Sequence, residues 1–70
     1  MNTYLLGSKM TLFSDTVTNL AEYLEVSTWT LHYKMRGESE FMRDEIQKII
    51  KRYNLTPEEV IEIFFTERSE

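Results

Sequence analysis

The stretch Thr16–Gly37, TVTNLAEYLEVSTWTLHYKMRG, constrains the fold of this chain more than any other. Leu20, Ala21 and Leu24 recur at i, i+1 and i+4, an apolar stripe at helical period. Leu31 and Met35 repeat at i+4 in a second short segment, and Val26 plugs the corner between the two. Thr16 and Ser27 stand at N-cap positions, where a side-chain oxygen accepts from a free N–H two or three residues on. Gly37 tolerates positive φ and closes the second segment. Cap, short helix, corner, cap, short helix and glycine together form the pattern of a helix-turn-helix.

The remaining segments also follow helical period. Thr3 to Phe13 reads as a first helix with a broad apolar face of Tyr4, Leu5, Leu6, Met10, Leu12 and Phe13. Gly7 and Thr11 weaken its propensity, and Gly7 is expected to mark close packing against another helix. Ser14-Asp15-Thr16 is a short polar connection. After a polar loop at Glu38-Ser39-Glu40, anchored by Phe41, a fourth helix spans residues 42–53. Ile46, Ile49, Ile50 and Tyr53 form its inward stripe. Asp44 and Glu45 in its first turn and Lys51 and Arg52 in its last complement the helix dipole, and Asn54 ends it. Thr56-Pro57-Glu58-Glu59 is a capping box with proline at the first helical position, opening a fifth helix over residues 57–65. Val60, Ile61, Ile63, Phe64 and Phe65 exceed one narrow stripe. Either some lie at the surface, for a partner or a second copy to cover, or the helix sinks deep into the core. Thr66 to Glu70 reads as a frayed tail. The expected fold is all-α: one compact five-helix bundle over residues 1–70, with helices at about 3–13, 17–24, 28–36, 42–53 and 57–65.

The run Leu20-Ala21-x-x-Leu24-x-Val26-Ser27-x-x-Thr30-Leu31, closed by Gly37, resembles the helix-turn-helix of lambda-repressor-like (Cro-type) phage regulators. The resemblance continues through Phe41, Glu45, Ile46 and Ile49 to Asn54-Leu55-Thr56-Pro57-Glu58-Glu59-Val60 and Phe64-Phe65. It covers about four fifths of the chain and extends to Lys9-Met10 if these belong to it. It implies a DNA-binding domain whose second motif helix enters the major groove while the helix before it braces against the backbone. Carried over by position, Thr28, Trp29, His32 and Tyr33 are candidate base readers. Arg36 and Ser39 are candidate phosphate contacts, and Val17 and Thr18 begin the bracing helix. Three positions depart from the family pattern. Val17 stands where a DNA-contacting glutamine is common. Glu25 occupies a corner that is often glycine and is strained there if the corner keeps positive φ. Met42, at the start of the fourth helix, cannot cap it.

Composition narrows the chemistry. Among 70 residues there is no cysteine and one histidine, so disulfides and cysteine metal sites are excluded and a catalytic constellation is missing. His32 is expected to be a solvated or contacting residue, and Glu58, Glu59 and Glu62 a solvated face. Two glycines cannot build a phosphate-cradling loop. The expectations are therefore no enzyme activity, no cofactor and no metal. No apolar run approaches the ~18 residues of a membrane span, and a basic signal-peptide start is missing. A soluble protein of the bacterial host cytoplasm is expected.

The net charge of −4 is wrong-signed for a polyanion partner. Residues 1–37 carry three basic and three acidic side chains, while residues 38–70 carry five against nine. The motif half is neutral and the rear is acidic. Two readings follow for the second motif helix, in which Trp29 and Tyr33 either point outward or fold back onto a neighbour. In one, the chain binds operator duplex DNA through residues 28–36, as a homodimer. In the other, the same face grips a repressor or another protein and modulates repression, because Trp, Tyr, His and Arg are also protein hot-spot residues. A purely structural or assembly role is a third class.

Overall fold

The computed structural model describes residues 3–65. They form α1 (Thr3–Leu12), α2 (Val17–Leu24), α3 (Thr28–Met35), α4 (Arg43–Tyr53) and α5 (Pro57–Val60), which runs on into a π-helical turn, Ile61–Phe65. No strand occurs among the described residues. The expected all-α, five-helix architecture is what the chain adopts. Three ends differ from expectation by one residue: α1 stops at Leu12, α3 at Met35, and Met42 stands outside α4 as its N-cap. The tail from Thr66 lies outside the described residues.

The core gathers Leu6 and Met10 from α1, Leu20, Ala21 and Leu24 from α2, and Leu31 from α3. Ile49 and Tyr53 of α4, Leu55 and Ile63 complete it. α1 contributes a narrower stripe than its composition suggests. Tyr4 is 88% exposed and Leu12 also lies largely in solvent, while Phe13, half-exposed, meets the Tyr53 ring edge to face. Leu6 and Met10, four residues apart, are the buried positions of α1, with Leu5 packed partly against the core. The expectation for Gly7 is overturned: a Cβ there would meet nothing within 4 Å. No neighbouring helix presses on it, and its effect on α1 is limited to weaker propensity.

The crowded apolar run at the C-terminus divides. Ile63 is fully buried, Val60 and Phe64 pack against the core, and Ile61 and Phe65 remain exposed. Phe41 anchors the loop after α3, as expected, meeting Phe64 edge to face with ring centroids 5.4 Å apart. The α5 capping box forms in full: Thr56 Oγ1 accepts from the Glu59 N–H, and the Glu59 carboxylate accepts from the Thr56 N–H. Glu59 also meets Lys9 of α1 at 2.6 Å. That ammonium, with the Thr56 N–H, holds the Glu59 carboxyl below its usual pKa.

One polar network joins the α1–α2 corner to the end of α4. The Asp15 carboxylate accepts from Arg52 Nε at 2.7 Å, from Arg52 Nη2 at 3.1 Å, from the Tyr53 hydroxyl and from the Thr16 N–H. The Arg52 guanidinium also lies over the Tyr23 ring of α2, 4.6 Å from its centroid. The guanidinium beside it holds the Asp15 carboxyl down to about 2, against a desolvation effect in the opposite direction. Burial, together with the Asp15 charge, pushes the Tyr53 phenol up.

Two outcomes are expected. Leu31 is fully buried as the sole apolar core residue of α3, so Leu31→Ala should cost roughly 2–5 kcal/mol. Urea denaturation would register this as a much lower midpoint, or as loss of the folded baseline in a domain this small. Asp15 has a folded pKa below its unfolded value of about 3.9. Its stabilisation is therefore fully present above about pH 5 and lost as pH falls through the unfolded value towards 2, some 2 kcal/mol in all. Thermal midpoints of wild type and Asp15→Asn, followed over that window, should converge at the acid end.

Candidate recognition face of the helix-turn-helix

α2 and α3 are joined by three residues, Glu25, Val26 and Ser27. Glu25 adopts φ 62°, ψ 41°, the left-handed conformation that the corner requires. Its N–H donates to the Glu22 carbonyl, and the Val26 N–H donates to the Ala21 carbonyl at 3.0 Å. These two bonds form a Schellman closure, which glycine usually occupies at no steric cost. Glutamate takes the same conformation against its Cβ. Both expected caps form: Thr16 Oγ1 accepts from the Asn19 N–H, and Ser27 Oγ accepts from the Thr30 N–H, each at 3.1 Å. α3 ends through Gly37 at φ 83°, with the Gly37 N–H donating to the Lys34 carbonyl and the Glu38 N–H to that of Tyr33.

Behind α3 lie Leu31 and an ion pair that the sequence pattern did not single out. Lys34 Nζ meets Glu45 Oε1 of α4 at 2.6 Å, with Lys34 only 7% and Glu45 only 8% exposed. The same Glu45 oxygen accepts from the Met42 N–H at 2.8 Å. Met42 makes no side-chain cap bond, so Glu45 satisfies the start of α4 from inside the helix. A signal for the pair does exist in the sequence. Lys34 follows Leu31 by three residues, on the inward flank, and Glu45 is the third residue of α4.

The outer side of α3 holds the five candidates on that helix. Thr28, Trp29, His32, Tyr33 and Arg36 are all exposed. Trp29 is 67% exposed and Tyr33 37%, and neither folds back onto a neighbouring helix to be buried. The two rings pack on each other instead, with centroids 5.2 Å apart and planes tilted by 35°. Arg36 extends the row, its guanidinium 5.2 Å from the Tyr33 centroid. Arg36 Nε also meets Glu38 at 3.3 Å, an ion pair with both partners more than half exposed and hence weak. Trp29, Tyr33 and Arg36 thus form a ladder at i, i+4 and i+7.

The other candidates sit around this ladder. Thr18 is exposed on α2, whereas Val17 packs partly against the core. Ser39 is exposed in the α3–α4 loop, on the rim of a shallow groove lined by Gly37, Phe41, Ile46, Phe64 and Phe65. The carboxylates Glu22, Glu25, Glu38 and Glu40 are exposed on the motif and the loop that follows it. Among the described residues no group of three or more His, Asp or Glu side chains could hold a metal ion, and no helix is long and apolar enough to cross a membrane.

No protein-family model, curated protein or solved structure matches the chain.

The left-handed corner gives a direct test. Glu25→Gly relieves the Cβ strain but adds backbone freedom to the unfolded chain, for a net stabilisation of about 0.5–1 kcal/mol. Chemical denaturation should show a higher midpoint at unchanged slope. A lower midpoint would mean that the Glu25 side chain stabilises the corner.

Proposed function

We propose that this chain is a small helix-turn-helix regulator that binds duplex DNA through the outer face of α3. The observation that carries the proposal is the combination of a closed, capped α2–corner–α3 unit with an α3 outer face that the rest of the fold leaves exposed. A recognition helix needs this arrangement, because its side chains must enter the major groove without unpacking the domain. Thr28 offers a hydroxyl to a base edge and His32 a ring nitrogen. Trp29 and Tyr33 offer apolar ring surface of the kind that packs on a thymine methyl. Arg36, at the far end of the helix, suits a phosphate, with Thr18 and Ser39 on the flanks.

A second reading rests on a specific observation. Both cations of α3 and its cap are already engaged, Lys34 buried against Glu45 and Arg36 paired with Glu38. The face is therefore aromatic more than basic, which suits a protein partner such as a repressor, with the stacked Trp29 and Tyr33 as anchors.

Binding to random duplex DNA across a salt series separates the two. Under DNA recognition, affinity should be measurable at low salt and fall steeply as salt rises, because phosphate neutralisation releases cations. Arg36→Ala should then weaken all sequences about equally and reduce the slope by about 1, while Trp29→Ala relaxes sequence preference. Under protein recognition no duplex should bind even at low salt. Trp29→Ala and Tyr33→Ala should then each cost roughly 2 kcal/mol or more toward a repressor partner, with little salt dependence.

A further inference from the structure

α3 is an eight-residue helix, about 12 Å long, with Leu31 fully buried in the core and Met35, one turn on, packed partly against it. Two apolar contacts along one stripe resist translation far better than a small rotation about the helix axis, because hydrophobic contact has no direction. Rotation is what a recognition face can least tolerate. At an outer radius of about 5–6 Å, a 20° roll moves a ring by about 2 Å, enough to break a hydrogen bond or lift an apolar contact. Something directional must hold the roll angle, and Lys34 stands where such a restraint belongs. It lies three residues after Leu31, on the flank facing α4, and reaches the Glu45 carboxylate at 2.6 Å.

We propose that Lys34 and Glu45 are positioning residues that fix the rotation of α3, and so determine how selectively Trp29, Tyr33 and His32 recognise their ligand. This rests on the outer face of α3 being the binding surface. Three features suit the pair to the task. It is nearly dry, so salt does not screen it as it screens surface pairs. Its hydrogen bond is charge-assisted and therefore short and directional. Glu45 is itself fixed, since the oxygen that meets Lys34 also holds the Met42 N–H, which ties the acceptor to the first turn of α4. Rolling α3 would draw the ammonium away and strand two buried charges.

A buried ion pair need not stabilise a fold relative to apolar residues of similar size. Stability and recognition should therefore come apart when the pair is replaced. The test is the double variant Lys34→Met with Glu45→Gln, in which the amide oxygen can still accept from the Met42 N–H. Its thermal midpoint should stay within a few degrees of wild type. Trp29 is the only tryptophan, so time-resolved fluorescence anisotropy reports its motion without any ligand. The amplitude of fast local depolarisation should rise in the variant. With a duplex selected by the wild-type protein from a random-sequence pool as probe, preference over random duplex should fall about tenfold while binding to random duplex persists.

Unchanged anisotropy with unchanged discrimination would overturn the proposal, as would anisotropy that changes only in step with a lower midpoint. If the wild-type protein selects no duplex, the DNA reading fails, and the anisotropy arm still decides whether the pair restrains α3. Should the double variant fail to fold, Lys34→Gln with Glu45→Gln keeps a donor and an acceptor between the two helices without leaving a buried charge. It should shift anisotropy in the same direction by less, and no shift there would count against the pair. Lys34→Arg, which keeps the charge and a donor, should restore wild-type values in both measurements.

Discussion

The Asp15 carboxylate is the contact on which the arrangement of the outer helices most depends. Ten apolar side chains are buried among the described residues, a small core for five helices, and a domain of this length has little stability to spare. Asp15 sits between α1 and α2 and reaches Arg52 and Tyr53, more than 35 residues later in the chain. Four donors converge on two oxygens, which satisfies a carboxylate whose side chain is only 5% exposed. Without them burial would raise its pKa and disfavour its charge; with them the pKa falls instead. Tyr53 belongs to this network through its hydroxyl and to the core through its ring, so polar and apolar packing meet in one side chain. Tyr23, under the Arg52 guanidinium, brings α2 into the same arrangement.

A second constraint runs through the helix ends. Ser14, Glu25, Gly37 and Asn54 all have positive φ, each just beyond a helix. Short helices joined by tight connections must reverse direction within a few residues, and a left-handed residue does this while pairing the last carbonyls. Only one of the four is glycine, and asparagine tolerates the conformation better than most residues. The other two, Ser14 and Glu25, take it with their N–H groups paired to helix-end carbonyls, of Thr11 and Glu22. The same economy appears at the start of α4, where Met42 cannot cap and Glu45 acts in its place while also meeting Lys34. The corner that forms the motif and the residues that secure its second helix thus carry local costs that tertiary contacts offset. Such concentrations of strain and buried charge are a feature of functional regions.

The charge pattern takes on a different meaning once side chains are placed. In sequence the motif half looks neutral, with Arg36 a candidate contact to a phosphate backbone. In the fold Lys34 faces inward, Arg36 lies along Tyr33 beside Glu38, Lys9 meets Glu59 and Arg52 meets Asp15. The exposed face of α3 therefore offers aromatic surface and short polar groups more than a field of positive charge.

Helical period, caps and stops are local properties, and for that reason the sequence determined the helices, the two side-chain caps of the motif and the inward set Leu20, Ala21, Leu24 and Leu31. The outward set on α3 was legible in the same way, because a helix with Leu31 inside has Thr28, Trp29, His32, Tyr33 and Arg36 outside. Whether Trp29 and Tyr33 would remain there was not legible, since a long aromatic side chain can reach a neighbouring helix whose position the sequence does not specify. Tertiary structure decided that the two rings pack on each other. It also decided that Gly7 faces open space, that Tyr4 and Leu12 stay outside the core, and that Lys34 is drawn in to Glu45. Each of these depends on where a second helix passes. A hydrophobic pattern states which residues gain from burial, but only packing in three dimensions settles which of them find room, and which charges are drawn in to pair.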